Sequence, residues 1–342
     1  MRENPRGIAP LDWPALVDEA VRRRKAEKMT QKEHAALASV SIPTIVSFDR
    51  AETTLSLAKA FDILRVVGLL HEAKGEGAQE RFVQEAFLRW RELTAKLPKD
   101  SPARFPHGFY RFDYALEGEL RQPSLVAFEK MLKDAVVPHT GWPLFVDLTR
   151  PGLAPYEIDG TIECWVKPSS EGIERANEDA SHCDFWRAAP AGRAFIIRGY
   201  QEDGQETFPA GTVFDVTLPI WRIGEAFLHA ARLAKALAVN PDAVTVRLRA
   251  LYTGLSGRIL RAWANPLADL LIEGHAARSD EAMLEGTAPA SEIEGKLEHF
   301  VYPMVASLFE RFGVVGLAED RVKTELDRMR QNRFRGDPLT AR

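Results

Sequence analysis

Cys164, His182 and Cys183 are the residues of this chain whose types come nearest to a metal-ligand set, because thiolate and imidazole are the usual donors to zinc. A fourth ligand and the paired cysteine spacing of zinc sites are missing, so the expectation is a buried pair of thiols, with no metal and no cofactor. Glu157, Asp159 and Glu163 offer carboxylates to a nuclease-like site. No Glu-x-Lys follows them, and their odd-numbered spacing puts all three on the polar face of one strand, as a solvated sheet face would do unaided. In "TGLSGR", residues 253–258, backbone N–H groups could cradle a phosphate with Arg258 beside it. The lysine of a P-loop is absent, and a plain strand-to-helix turn is expected. His229 follows Glu225 by four residues on one helical face, a surface pair or a buried hydrogen bond before it is a catalytic dyad. No enzymatic activity is assigned on these grounds. The alternative is an enzymatic or defence effector in the C-terminal part, with the N-terminal part as its targeting or autoregulatory module.

Recognition chemistry is better supplied near the N-terminus, in "ASVSIPTIVSFDR", residues 38–50. Leu37, Val40, Ile45 and Phe48 fall on one side as core, while Ser41, Thr44, Ser47 and Arg50 fall on the other. Small hydroxyls with one arginine suit a nucleic-acid surface. Ala35, in the middle of the preceding helix, lets two helices approach closely, as a rigid reading helix requires. Pro43 is compatible with that helix if Ser41 is its N-cap, because a first-turn N–H has no intrahelical partner to lose.

Over residues 15–70 the layout resembles the XRE-type, lambda-repressor-like family of helix-turn-helix domains. The resemblance is carried by "MTQKEHAALASVSIPTIVSFDRAETTLSLAKAFDIL": Thr30-Gln31 opening the second helix, the Val40-Ser41 turn, Asp49-Arg50 closing the third, and a fourth helix after "TTLSL". It implies that Gln31 and Arg50 contact phosphates and that Ile42, Pro43, Thr44 and Ser47 face base edges, with Ser41 at the start of the reading helix. It also implies a structural ion pair between Arg24 and Asp49. Ser39 and Ala51 stand where the family usually has glycine, at sites that tend towards positive φ, which costs about 1 kcal/mol each. No arginine or glutamine is placed for a bidentate base contact, so specificity falls to shape, methyl contacts and the spacing of a dimer.

The elements that position these residues fall into two blocks. Short helices fill residues 1–72, with Leu57, Ala60, Phe61 and Leu64 as one apolar stripe, and "HEAKGEGAQ" suggests a linker over 73–80. Residues 81–335 open on the amphipathic helix "ERFVQEAFLRWRELTAKL" and continue with strands such as "YEIDGTIECWV" and "VTVRLRALY". The helices "PIWRIGEAFLHAARLAKALA", "EIEGKLEHFVYPMVASLFERFG" and "AEDRVKTELDRMRQ" complete the block, and residues 336–342 form a tail. The expected fold is an N-terminal all-α helix-turn-helix domain followed by a larger α+β domain with a mostly antiparallel sheet and helices on one side. Stretches such as "HCDFWRAAPAGRAFIIRGYQEDG" resemble domains associated with bacterial regulators, and bring no catalytic residues with them.

Bulk properties limit the function classes. The 342 residues carry a net charge of −4, yet residues 1–70 hold 11 Lys+Arg against 9 Asp+Glu, so attraction to phosphate must come from the N-terminal block. Two cysteines, no apolar run of membrane-spanning length and no secretory layout at the N-terminus suggest the cytoplasm. The resulting expectation is a bacterial, homodimeric, sequence-specific regulator of transcription. Its partners would be double-stranded DNA, a second copy, and an unknown small-molecule or protein effector at the C-terminal domain, with no membrane.

Overall fold

Val17, Ala20, Ile45, Phe48 and Ile63 are each 1% exposed or less, and together they make the core of the first of two units. The computed structural model describes residues 12–331 apart from 27, 39, 68, 70–75, 151, 169–178 and 269. It divides into Met1–Ala78 and Gln79–Arg342. Among the described residues, four helices build the first unit: α1 (Trp13–Ala26), α2 (Gln31–Leu37), α3 (Ile42–Asp49) and α4 (Leu57–Val66). The Trp13 ring meets Phe48 edge-on at 5.5 Å, and its indole N–H donates to the Ala51 carbonyl, which ties α1 to the end of α3. On α4 the buried stripe is Ala60, Ile63 and Leu64, with Val67 just beyond, whereas Leu57 is 65% and Phe61 39% exposed. The expected stripe is therefore half wrong: at 100° per residue Leu57 and Phe61 lie on the flank of the face that α4 buries. The Leu37 side chain and the residue Ser39 lie outside what is described.

The second unit is organised by a seven-stranded sheet in the order β2-β3-β4-β5-β1-β7-β9, with every pairing antiparallel. Its strands are β1 (Phe109–Glu117), β2 (Tyr156–Ile158), β3 (Thr161–Trp165), β4 (Phe185–Ala189), β5 (Arg193–Gly199), β7 (Thr245–Tyr252) and β9 (Ala282–Pro289). A small parallel pair, β6 (Val213–Asp215) and β8 (Ile259–Arg261), stands apart. The helices are α5 (Glu76–Thr94), α6 (Leu125–Ala135), α7 (Leu218–Leu237), α8 (Leu297–Glu310) and α9 (Glu319–Gln331). α7 starts on Thr217 with Pro219 in its first turn and buries 16 of its 20 residues between the sheet and the helices around it.

The helices do not all lie on one side. Phe112 and Tyr114 of β1 and Ile196 of β5 face the core that holds α6 to α9, while Phe185, Phe195 and Ile197 face Phe82, Val83, Ala86 and Trp90 of α5. That is why β4 and β5 are buried almost without interruption while β7 alternates strictly between buried and half-buried. "YEIDGTIECWV" is a hairpin rather than one strand. Asp159 and Gly160 turn it with φ of 47° and 71°, the pattern of a two-residue type I′ connection. Residues 76–80 of the expected linker are the start of α5, residues 73–75 lie outside what is described, and so does the tail 336–342.

Candidate functional site

α3 is set up by its caps. Ser41 adopts an extended backbone, φ −76° and ψ 153°, and its Oγ accepts the Thr44 N–H at 3.4 Å while lying 2.8 Å from Thr44 Oγ1. Pro43 sits in the first turn, where its missing N–H removes no helical bond. At the other end Ala51 has φ 55°, its N–H reaches the Phe48 carbonyl at 2.8 Å, and the Glu52 N–H reaches the Ser47 carbonyl at 3.1 Å. Those two bonds make a Schellman motif with an alanine in the left-handed position that favours glycine, at a cost of about 1 kcal/mol.

Between the caps the helix has two faces. Ile45 and Phe48 are fully buried; Ser41, Ile42, Pro43 and Arg50 are exposed, and Thr44 and Ser47 are half-buried. The Arg50 side chain is 71% exposed and only 3.9 Å from Glu52, a loose pair that a phosphate could replace at little cost. The structure brings Arg24 and Asp49 together: Nη1 and Nη2 of Arg24 donate to the two carboxylate oxygens at 2.8 and 2.6 Å, and Arg24 is only 5% exposed. Gln31 joins them, its Nε2 donating to Asp49 Oδ2 at 2.6 Å. The residue assigned to phosphate thus holds the ion pair that fixes the end of α3, a link that nothing in the sequence pattern announced.

The chemistry candidates of the second unit resolve into structural roles. Both cysteines are buried thiols: Cys164 donates to the Leu153 carbonyl and lies in the main core, while Cys183 lies in the core beneath α5. Burial pushes the Cys164 thiol well above its ordinary range. His182 takes Asp179 as its neighbour at 2.8 Å, and among the described residues no three His, Cys, Asp or Glu side chains are grouped to hold a metal. Glu163 is fully buried, with Oε1 accepting from Arg89 at 3.0 Å and from the Tyr156 hydroxyl at 2.6 Å; burial and this carboxylate push Tyr156 up to about 12. Glu157 is exposed on the neighbouring strand and Asp159 is in the turn, so the three carboxylates share no face.

The turn 253–258 joins β7 to β8 rather than a strand to a helix. Arg258 is fully buried, and all five of its donors are taken: Nε by the Gly254 carbonyl, and the two amino groups by Asp203 and the carbonyls of Val213 and His107. No donor is left for a phosphate. Gly254 is there for close approach, since a Cβ would stand 2.4 Å from the His107 carbonyl oxygen. His229 and Glu225 do not bond to each other. Glu225 accepts from Thr140 and Arg222, whereas His229 Nδ1 meets the Tyr114 hydroxyl at 2.9 Å and its ring stacks on Phe145 at 4.3 Å. Desolvation lowers His229 to about 3, so it is neutral and structural.

Sequence reasoning passed over Glu202, Arg222 and Tyr252, which line one cavity at the head of α7. The available signal was "QED" one residue beyond a strand buried on both faces, a position where charge has to be accounted for. Comparison with models of protein families, with curated proteins and with solved structures finds no match to this chain. Among the described residues no helix is long and apolar enough to cross a membrane.

Proposed function

We propose that the chain binds double-stranded DNA through α3 and acts in the cytoplasm as a homodimeric regulator of transcription, with the Gln79–Arg342 unit serving dimerisation and effector binding. The observation that carries this reading is the two-sidedness of α3. Ile45 and Phe48 lock one side into the core, the Arg24–Asp49–Gln31 cluster locks its end, and the opposite side offers hydroxyls, two apolar side chains and an arginine. A groove reader needs that combination of rigidity and short polar reach. The layout that resembles the XRE-type family supports the same reading.

In this account Arg50 takes a phosphate, Thr44 and Ser47 bond to base edges, and Ile42 and Pro43 meet thymine methyl groups. None of these contacts is a bidentate base pair, so two half-sites about 34 Å apart and the shape of the intervening DNA carry the specificity. Fluorescence anisotropy with full-length protein on selected duplexes tests the roles. Arg50→Ala lowers affinity by a similar factor on every sequence, whereas Thr44→Ala with Ser47→Ala narrows the gap between the preferred duplex and a scrambled one. Equal losses on both duplexes from both changes would refute the assignment.

A further inference from the structure

Two buried carboxylates meet where the chain turns into α7. Asp215, the last residue of β6, is fully buried and well supplied with donors. Its Oδ1 accepts the Thr217 N–H, the Thr217 hydroxyl and the Leu218 N–H, each at 2.7 Å, while Oδ2 accepts the N–H groups of Trp263 and Ala264 at 2.8 and 2.7 Å. One side chain thus ties the first turn of α7 to the segment beyond β8. Glu202, in the short helix Gln201–Gly204, is 3% exposed, and its Oε1 accepts the N–H of Asp215 itself at 2.8 Å. The second carboxylate therefore bears on the residue that fastens α7.

The groups facing Glu202 give it no cation of its own. From the turn 253–258 Arg258 brings positive charge, but its donors are spent on carbonyls and on Asp203, which shares the short helix with Glu202. From α7 Arg222 is bonded to Glu225 at 2.9 Å. Tyr110 of β1, with the Arg198–Asp184 pair behind it, Tyr200 and Tyr252 of β7 present phenols that burial pushes up, so they stay neutral. The short helix Ala180–His182 presents Ser181, with His182 held on Asp179 beside it, and Arg261 of β8 stands in register with Asp215 but is exposed. The void that Glu202, Arg222 and Tyr252 line is about 20 Å³, room for a single water. With Asp215 ionised, a charge on Glu202 would be a second negative charge out of water beside the first, which is costly. Burial and the Asp215 charge accordingly push Glu202 up to about 7.

We propose that this carboxylate pair is a pH-sensitive latch on the head of α7, closed while Glu202 carries its proton and released when that proton leaves to solvent. In the closed state Glu202 is neutral and Asp215 holds the sole negative charge of the pair. Once both are charged, the strain is relieved by a local opening in which Glu202 reaches water and lets go of the Asp215 N–H, and the bonds from Asp215 to Leu218, Trp263 and Ala264 loosen with it. In the open state Glu202 returns to its ordinary 4.5, so opening becomes easier as pH rises from 4.5 to about 7 and levels off above that. The latch goes beyond the proposed regulator role and does not depend on DNA binding.

Hydrogen exchange of the full-length chain, corrected for intrinsic rates, tests this. Opening that exposes the Leu218, Trp263 and Ala264 amides should rise by about 10-fold from pH 6 to pH 8, with the rise levelling off near pH 7. At pH 8 these amides should exchange by a local route that low urea does not accelerate, at least about 10-fold faster than Phe195 and Ile196 of β5, a strand paired on both sides. Glu202→Gln keeps an acceptor for the Asp215 N–H without the charge, and should hold opening at one level across this range. Circular dichroism shows whether the variant is folded, and the levelling near pH 7 in the unaltered protein is a reading that needs no substitution. Opening that does not change with pH, exchange of these amides only together with β5, or the same pH dependence in a folded Glu202→Gln protein overturns the proposal. None of these readings involves DNA, so their failure is not a failure of the regulator reading.

Discussion

Arg24→Met removes the guanidinium that holds the end of α3, and the structure sets its cost. An exposed pair contributes about 0–1 kcal/mol, and loss of one partner from a buried pair costs about 3–5 kcal/mol. The Arg24 side chain is 6% exposed and that of Asp49 is 14%, and Asp49 keeps the Gln31 amide after the change. These facts place the expected loss between the two limits, at about 2–3 kcal/mol. At 1.4 kcal/mol per factor of ten, hydrogen exchange at α3 amides should accelerate by roughly 30- to 150-fold. The amides of Ile45, Arg50 and Glu52 are the reporters, since each is bonded within the helix or its terminal motif. Asp49→Asn in the Arg24→Met background should cost much less than the sum of the two single changes, because the carboxylate is then no longer stranded. Acceleration below about threefold, or strict additivity in the double variant, would refute the argument that this cluster fixes the end of α3.

Other outcomes follow from the second unit. The folded-state pKa of Glu202 is raised from 4.5 to about 7, so the stability it contributes is full below pH 4.5 and lost as pH rises through 7. Glu202→Gln should remove that slope from urea midpoints of the full chain, and an unchanged slope would contradict it. His229 runs the other way. Its pKa is lowered from 6.5 to about 3, so the stability of its neutral form is present above pH 6.5 and is lost as pH falls towards 3; its ring nitrogens should show the neutral pattern by NMR at pH 5. Gly254→Ala combines a φ of +66° with a Cβ 2.4 Å from the His107 carbonyl oxygen, and should cost at least about 2 kcal/mol in urea unfolding. A loss below about 0.5 kcal/mol would mean that the turn relaxes freely.

What the sequence disclosed depended on whether a local signal existed. α3 was legible because its cap, its first-turn proline and its buried residues are all local. The β2–β3 hairpin was not, for a simple reason of parity. The register pairs Ile158 with Thr161 and Glu157 with Ile162, so the turn puts Ile158 on the face opposite Ile162 and Cys164, although the alternation of the three as written runs through Asp159-Gly160 without a break. The position of α5 on the opposite face was signalled by the continuous apolar character of "FWRAA" and "AFIIRG", which an alternating pattern for a half-buried strand excludes. The roles of the buried charges have no such signature. Arg198 is fully buried and clasps Asp184 while donating to the carbonyls of Trp142 and Pro143. Its partners, the Tyr110 hydroxyl included, come from 14 to 88 positions away, and no window of sequence contains that environment. The cavity is equally non-local, since β-pairing places Tyr110 beside Tyr252.

The central claim is that α3 reads duplex DNA, and the most direct measurement is recovery of genomic fragments by the full-length protein across a salt series. The account predicts a small set of fragments sharing paired half-sites about one helical turn apart, with affinity falling linearly in log–log salt plots. Arg50→Ala removes one phosphate contact from each half of the dimer and should make that slope shallower by about 1.8 on every fragment. Failure to enrich any fragment at low salt, or enrichment with no dependence on salt, would contradict it.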